Sequence, residues 1–294
     1  MPATAGSCKE LLDEATTASI GPGVAAALAE DVGAGDLTAS LIDADAIVGA
    51  QIVARESLIV CGEAWVNETF RQVDESIIID WYIGDGGRAE DGDVICKLVG
   101  PAPGLLTAER TALNFLQTLS STATTTAAYV KAIAGSKAQI LDTRKTIPGL
   151  RLAQKYAVTC GGGKNHRVGL FDAILIKENH IKSAGGISAA LNAAADQYKD
   201  ILIEVEVENH DELVEALDAG AARILLDNFS IEELQRAVET NQGHGYVAAE
   251  LEASGNVTLD TIRDIAATGV DYISTGALTK NVRAADLSML FRID

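Results

Sequence analysis

The sequence predicts an α/β protein whose C-terminal half forms a parallel sheet with crossover helices. Short apolar runs alternate there with helical patterns, and polar residues follow the end of each run. Repeated strand–helix–strand units of this length are typical of parallel sheets. Six strands in about 140 residues favour a small or incomplete barrel over a full eight-fold one, and the pattern alone is also compatible with a doubly wound sheet.

The N-terminal part predicts short strands separated by tight turns, preceded by a helical stretch at 24–29. A long helical pattern at 107–134 then leads into the second half, with Thr107 as candidate N-cap and Arg110 in the first turn. The candidate strands are residues 46–54, 58–60, 76–83 and 94–98.

The C-terminal half contains the repeated strand and helix patterns. The candidate strands are residues 138–141, 173–176, 201–207, 223–226, 246–251 and 270–273. The candidate helices between them are residues 151–159, 188–198, 211–219, 231–239 and 259–267. The triple glycine at 161–163 follows a helix rather than a strand, so it indicates a helix terminator or a flexible anion loop instead of a dinucleotide fingerprint.

Composition excludes several classes of function. With 294 residues, 48% apolar and 22% charged, the chain can fill a large core. A pI near 4.5 argues against nucleic acid as a partner, which would require an extended basic face. No apolar run is long enough for a membrane span, and residues 1–9 lack the apolar core of a signal peptide, so we expect a cytoplasmic protein with no membrane association. The four separated cysteines indicate reduced, mostly buried thiols.

Positive charge is concentrated in residues 142–182, although the whole chain carries a net charge of −19. Only Asp142, Asp172 and Glu178 oppose the basic residues of this segment. Those residues are Arg144, Lys145, Arg151, Lys155, Lys164, Arg167, Lys177 and Lys182, accompanied by His166 and His180. Such a concentration predicts a small ligand with several negative groups, either phosphorylated or a polycarboxylate.

Polar residues follow the predicted strands at their carboxyl ends. In a parallel barrel these ends share one rim, so residues distant in sequence converge on one site. The segments are Asp142-Thr-Arg-Lys145, Lys177-Glu-Asn179, Glu206, Asp227-Asn228, Glu252-Ala-Ser-Gly255 and Ser274-Thr-Gly276. Taken singly, each could be an ordinary strand-terminating or capping residue; together they predict a site.

The residue types in these segments suit different parts of a charged ligand. Arg144 presents a rigid fork for carboxylate or phosphate, whereas Lys145 supplies a compact charge. Glu206 and Asp227 lie on successive predicted strands and are candidate partners of Mg²⁺ held mainly through substrate phosphates and water. The alternative for these acids is a salt-bridge network with the basic segment.

Several long motifs resemble the quinolinate phosphoribosyltransferase family, also called carboxylating nicotinate-nucleotide pyrophosphorylases. In the C-terminal half they are Asp142-Thr-Arg-Lys-Thr-Ile-Pro-Gly-Leu-Arg151, Gln154-Lys-Tyr-Ala157, Gly161-Gly-Gly-Lys-Asn-His-Arg167, Ile176-Lys-Glu-Asn-His180, Glu204-Val-Glu-Val207, Leu226-Asp-Asn228 and Glu252-Ala-Ser-Gly255. The N-terminal half contributes Glu30-Asp-Val-Gly-Ala-Gly-Asp-Leu-Thr38 and Glu109-Arg-Thr-Ala-Leu-Asn114. The resemblance therefore covers nearly the whole chain.

The resemblance implies an N-terminal α/β sandwich domain at 1–115, with 278–294 packing against it, and a C-terminal incomplete α/β barrel of six or seven strands at 116–277. It implies a homodimer or higher oligomer with shared active sites. It also implies transfer of phosphoribose from phosphoribosyl pyrophosphate to quinolinate with decarboxylation, which yields nicotinate mononucleotide, CO₂ and pyrophosphate for NAD biosynthesis, with Mg²⁺ as cofactor.

The resemblance also implies roles for single residues. Quinolinate would contact Arg144, His166, Arg167, Lys177 and, from the neighbouring subunit, Arg110. The phosphoribosyl group would face Lys145, Glu206, Asp227, Ser254, Gly255 and Gly276. The predicted catalytic residues are Lys145, Lys177, Glu206 and Asp227. Thr143 and Ser274 complete the predicted substrate-binding set.

Some positions depart from the family pattern. Thr118 and Ser121 replace a usual Arg and Gly, and Thr275 and Lys280 replace Val and His. These four departures concern the packing of the domains and the part of the barrel rim that would lie near the substrate phosphate. Two rival functions remain at this point: a phosphoribosyltransferase for another pyridine carboxylate, and a catalytically silent ligand-binding relative.

Overall fold

The computed structural model describes residues 8–245 and 248–292. By its contacts the chain divides into two compact units. The first comprises the chain up to Ala127, Ile147–Gly162 and the chain from Asn281; the second comprises Ala128–Thr146 and Gly163–Lys280. The domain limits 1–115 and 116–277 stay predictions.

Both units are built from strands and helices. Up to residue 132 they are α1 (Glu14–Val32), β1 (Ile47–Ala54), β2 (Leu58–Ile59), α2 (Glu63–Val73), β3 (Ile78–Trp81), β4 (Arg88–Ala89), β5 (Val94–Pro101) and α3 (Ala102–Ala132). The others are β6 (Gln139–Leu141), α4 (Arg151–Cys160), β7 (Ile174–Ile176), α5 (Glu178–Ala184), α6 (Ile187–Gln197), β8 (Ile203–Val207), α7 (His210–Asp218), β9 (Arg223–Asp227), α8 (Ile231–Gly243), β10 (Glu250–Ser254), α9 (Ile262–Ala267), β11 (Tyr272–Ser274), α10 (Ala277–Lys280) and β12 (Leu287–Arg292).

The first unit is built on a four-stranded antiparallel sheet in the order β12-β1-β5-β3. Ile52 of β1 is paired with Met289 of β12 on one side and Cys96 of β5 on the other, so the last strand joins the sheet through the first. The core that covers this sheet includes Phe70 of α2 and Leu105 of α3. This unit therefore combines a sheet with packed helices, as expected for an α/β sandwich.

The second unit contains a six-stranded parallel sheet in the order β6-β11-β10-β9-β8-β7. From β7 to β11 every strand pairs with the next one in the chain, without the reversal of strand order that a doubly wound sheet requires. The first strand, β6, pairs with the last, β11, while β6 and β7 are the two edges. The sheet is thus an incomplete α/β barrel, and the doubly wound alternative is wrong.

Some element boundaries differ from those predicted. Helix α3 begins at Ala102, directly after β5, so Thr107 lies inside the helix and its hydroxyl donates to Asp36 at 3.0 Å. The predicted start at Thr107 and its N-cap role are wrong because Pro103 is tolerated in the first turn of a helix, where its missing N–H is not needed. The sequence patterns also missed α2 and α5.

Strand β10 is shifted toward the C-terminus relative to its prediction. It covers Glu250–Ser254, whereas the pattern placed the strand at 246–251, of which residues 246 and 247 lie outside the described residues. Glu252 and Ser254 are therefore strand residues rather than loop residues. Because both lie on the same face of β10, they project toward the same side of the sheet.

Three other sequence-based expectations concern helix ends, thiols and membranes. α4 ends at Cys160 and the N–H of Gly161 bonds back to Ala157, so the glycine run does terminate the helix. The four cysteines are free thiols, and Cys61, Cys96 and Cys160 are buried. Within the described ranges, no helix has the length and apolar content needed to span a bilayer.

Candidate active site

A cavity of about 410 Å³ lies within the second unit, at the carboxyl ends of the parallel strands. Because the carboxyl ends of parallel strands lie on the same side of the sheet, residues at or just after the ends of all six strands reach this cavity. Its lining residues are Thr143, Arg144, Lys145, His166, Arg167, Leu175, Lys177, Glu206, Leu225, Asp227, Glu252, Ser254 and Ser274. The cavity thus brings together most of the predicted site residues.

The remaining predicted residues have different positions. Gly255 and Gly276 directly follow the lining residue Ser254 and the segment Ser274–Thr275. Arg110 is an exposed residue of α3 in the first unit. Their predicted roles stay predictions, as do those of the lining residues.

Only part of the basic segment faces the cavity. Arg144, Lys145, Arg167 and Lys177 line it. Arg151 and Lys155 lie on α4, which belongs to the first unit. Lys182 is exposed and pairs with Glu178 one helical turn away. The site cations therefore come from three separate loops, after β6, before β7 and after β7.

Lys177 and Glu206 form an ion pair at the mouth of the cavity. Lys177 is the residue between β7 and α5, and its backbone N–H donates to Nδ1 of His180 at 2.9 Å. Glu206 lies on the neighbouring strand β8. The pair is accessible to solvent on the lysine side, whose side chain is 45% exposed, so a ligand anion can reach the ammonium group.

Lys145 is held by its backbone. Its N–H donates to Oγ1 of Thr143 at 3.0 Å, and its carbonyl accepts from the hydroxyl of Thr279 at 2.8 Å. A β-carbon on Gly276 would lie 2.9 Å from Cδ of Lys145. The glycine therefore leaves room for the lysine side chain along the end of β11.

The floor of the cavity holds a histidine and two buried carboxylates. Nε2 of His166 lies 2.8 Å from Oε2 of Glu204 and 3.6 Å from Oε2 of Glu252, and the carboxylate side chains are 1% and 0% exposed. Burial, and next the charge of Glu204, raise the pKa of Glu252 to about 8. Above this floor, burial and the neighbouring Arg144 guanidinium lower the pKa of Arg167.

Sequence patterns did not single out Glu204, Leu175 or Leu225 as site residues, and they named Glu252 only as part of a polar strand-end segment, without a role of its own. The available signal was the two-residue period of a strand, because Glu204 precedes Glu206 and Glu252 precedes Ser254 on the same strand face. A buried carboxylate two residues before a site residue on the same strand face is then expected to form the floor of the cavity.

Comparison with known proteins agrees with this geometry along nearly the whole chain. Residues 36–120 match the family model for the quinolinate phosphoribosyl transferase N-terminal domain, and residues 122–290 match that for its C-terminal domain. The chain belongs to the quinolinate phosphoribosyltransferase family.

Individual family members are similar over most of their length. A mitochondrial quinolinate phosphoribosyltransferase [decarboxylating] of Nicotiana tabacum is 43% identical over 285 residues, with 90% of this chain and 79% of the relative covered. A chloroplastic nicotinate-nucleotide pyrophosphorylase [carboxylating] of Arabidopsis thaliana is 43% identical, with 90% and 80% covered. The structure of the nicotinate-nucleotide pyrophosphorylase from Francisella tularensis superposes with a TM-score of 0.89 at 47% identity, covering 94% and 97%.

The four departures from the quinolinate phosphoribosyltransferase pattern lie outside the cavity lining. Thr118 and Ser121 are on α3, and Lys280 is an exposed residue at the end of α10. Thr275 is buried, and its Oγ1 accepts from the N–H of Ala277 at 3.2 Å. None of these substitutions changes a residue that lines the site.

Proposed function

We propose that this protein transfers phosphoribose from phosphoribosyl pyrophosphate to the ring nitrogen of quinolinate and releases pyrophosphate and CO₂, forming nicotinate mononucleotide in NAD biosynthesis. One observation carries the proposal: Arg144, Lys145, Arg167 and Lys177 converge on one cavity in a protein of net charge −19. A dicarboxylate and a pyrophosphate ester together bring the negative groups that four clustered cations require.

Two kinds of cation suit the two substrates. The forks of Arg144 and Arg167 match the planar carboxylates of quinolinate, and Lys177 adds a charge at the rim. Lys145, beside Gly276, faces the phosphoribosyl group. The carboxyl ends of β10 and β11, at Ser254–Gly255 and Ser274, supply hydroxyl and backbone groups for the phosphate.

Mg²⁺ fits the two carboxylates at the mouth. Glu206 uses Oε2 for Lys177, and Asp227 uses Oδ2 for Asn228 at 2.8 Å, so a second oxygen of each can hold a water of the hydrated ion. When bound with the substrate phosphates, Mg²⁺ would neutralise negative charge on the pyrophosphate. The protein would hold the ion indirectly rather than in a closed cage.

The chemistry requires the C1–oxygen bond of the ribose to break as positive charge develops on C1. In this proposal Glu206 and Asp227 stabilise that charge and orient the ribose hydroxyls, while the lysines stabilise the departing pyrophosphate. The new C1–nitrogen bond leaves the pyridine nitrogen positively charged. When CO₂ departs, the electron pair of the broken C–C bond stays on the adjacent ring carbon, where the positive nitrogen stabilises it, and a proton from water then takes the place of the carboxylate; decarboxylation therefore needs a proton but no catalytic base.

The homodimer with shared sites, Arg110 as a contribution from the neighbouring subunit, and the cytoplasmic location are further parts of this proposal. The exposure of Arg110 on α3 is compatible with a role toward another subunit. Some relatives carry mitochondrial or chloroplastic names, so fractionation of the native cells has to establish the location of this protein.

The proposed function is tested by incubating the protein with Mg²⁺, phosphoribosyl pyrophosphate and quinolinate. We expect stoichiometric nicotinate mononucleotide, pyrophosphate and CO₂. Pyrophosphate release with nicotinate but not quinolinate would favour a phosphoribosyltransferase for another pyridine carboxylate. Binding of both substrates without any turnover would favour the silent relative.

A further inference from the structure

The two ring nitrogens of His166 are both engaged inside the protein. Nε2 lies 2.8 Å from Oε2 of Glu204, and Nδ1 accepts the backbone N–H of Arg167 at 2.7 Å. The backbone N–H of His166 itself donates to the buried carboxylate of Asp142 at 2.9 Å. The ring therefore connects the barrel floor to the peptide that carries Arg167.

This geometry defines the tautomer of His166. A nitrogen that accepts a hydrogen bond carries no proton, so the ring proton resides on Nε2 and is donated to Glu204. A protonated Nδ1 would instead place two N–H groups against each other at 2.7 Å. In this arrangement the ring has no further N–H to offer a ligand.

We propose that Glu204 is a positioning residue: it fixes the imidazole of His166, which in turn fixes the backbone of Arg167 and the direction of its guanidinium into the cavity. The inference rests on the proposed function only for the identity of the carboxylate that Arg167 binds. Nη1 of Arg167 also donates to the carbonyl of Ala173 at 3.4 Å, so the arginine is held from both ends.

Glu252 completes the floor as a neutral neighbour. Among the described residues, neither of its carboxylate oxygens accepts a hydrogen bond, and its side chain is 0% exposed. A second negative charge beside Glu204 without such donors would be strongly unfavourable. Glu252 therefore keeps its proton, and Glu204 is the acceptor that lies within hydrogen-bond distance of Nε2 of His166.

The tautomer can be observed without turnover. In ¹⁵N-histidine-labelled protein, we expect His166 to show a protonated Nε2 and an unprotonated Nδ1, with its signals identified by their loss in His166→Gln. The chain has only 4 histidines, so the spectrum is simple. An Nδ1–H tautomer or an imidazolium at neutral pH would overturn the proposal, whatever the substrate is.

Kinetics test the consequence for Arg167. Glu204→Leu should raise the KM for quinolinate about ten-fold or more, the effect of losing one charge-assisted contact, and leave the KM for phosphoribosyl pyrophosphate and the melting temperature nearly unchanged. Glu204→Gln, which retains an acceptor oxygen, should restore much of the affinity. Glu250→Gln is the matched control, because Glu250 also lies on a barrel strand but is exposed and paired with Arg223.

A double-mutant cycle separates positioning from general damage. In the Arg167→Ala background, Glu204→Leu should add little further loss of quinolinate affinity, because the residue through which it acts is already gone. Fully additive losses would overturn the proposal. So would one equivalent of zinc or manganese that remains bound through purification of the wild type and is lost in Glu204→Leu, since a metal would then replace the proton on Nε2.

Discussion

A β-carbon on Gly255 would lie 2.2 Å from Oδ1 of Asn228. The two residues follow β10 and β9, and the backbone N–H of Asn228 donates to the carbonyl of Ser254 at 2.9 Å. Gly255 has φ +100° and Asn228 has φ 58°, so both loops adopt backbone conformations that most residues disfavour. The loops after β9 and β10 can therefore approach each other closely only because residue 255 is a glycine, which has no side chain.

Gly255→Ala should therefore disturb the proposed phosphate-binding edge. We expect a loss of affinity for phosphoribosyl pyrophosphate of about ten-fold or more, because the loops after β9 and β10 must separate. Gly220→Ala is the matched control. Gly220 has φ +76°, but no atom lies within 4 Å of a β-carbon built on it, so this substitution costs only the backbone strain of about 1–2 kcal/mol. Equal substrate affinities in the two variants would contradict the prediction.

Arg144→Ala and Arg167→Ala should weaken quinolinate binding with little effect on folding. Each removes a two-point contact to a carboxylate, at a cost of about 1.5–3 kcal/mol, which corresponds to roughly ten- to a hundred-fold in affinity. Isothermal titration with quinolinate measures the change. Arg236→Ala, on the exposed face of α8, is the control. Unchanged quinolinate affinity in both cavity variants would reject the assignment of this site.

Glu206→Gln and Asp227→Asn should lower kcat and change the Mg²⁺ dependence while leaving quinolinate affinity nearly intact. The carboxylates are proposed to act on the developing charge at C1 and on the metal-bound phosphates, neither of which is part of quinolinate. Glu208→Gln, an exposed neighbour just beyond β8, provides the control. If both cavity variants turned over normally, their acids would better be described as salt-bridge partners.

Arg110 should act in the site of the neighbouring subunit. Mixing inactive Arg110→Ala with inactive Lys177→Ala subunits should regenerate one intact site per heterodimer, because the two changes then damage different composite sites. The measurement is activity after subunit exchange, verified by mass. Activity that stays at the level of the parent variants despite exchange would place Arg110 in its own subunit, for example as a partner of Glu109, with which it interacts electrostatically.

Glu252 should make stability fall as pH rises. Its pKa is raised from 4.5 to about 8, first by burial and then by Glu204. Between these values the unfolded chain releases a proton that the folded protein retains, so the free energy of unfolding decreases with increasing pH in this window. Glu252→Gln cannot titrate, and its melting temperature relative to the wild type should rise from pH 5 to pH 8. Parallel pH profiles of the wild type and Glu252→Gln would contradict the raised pKa of Glu252.

The periodic patterns predicted the second unit well because its sequence repeats are local. From β7 to β11 each strand is followed by a helix, and strands that are neighbours in the chain are neighbours in the sheet. Patterns were least accurate near Pro103, a typical helix breaker that lies in the first turn of α3, and at β10, whose polar residues hide its strand character. In both cases the surrounding structure overrides the local preference of single residues.

By itself, the sequence determined the fold class, the family and the set of charged residues that converge on one rim, since each follows from local periodicity and from motifs that are contiguous in the chain. Only the tertiary structure decided which strands are edges, which cations reach the cavity, and that Glu204 and Glu252 meet His166 beneath it. The physical reason is that these relations join residues from separate strands, and the distances between such residues are set only when the strands assemble into the sheet.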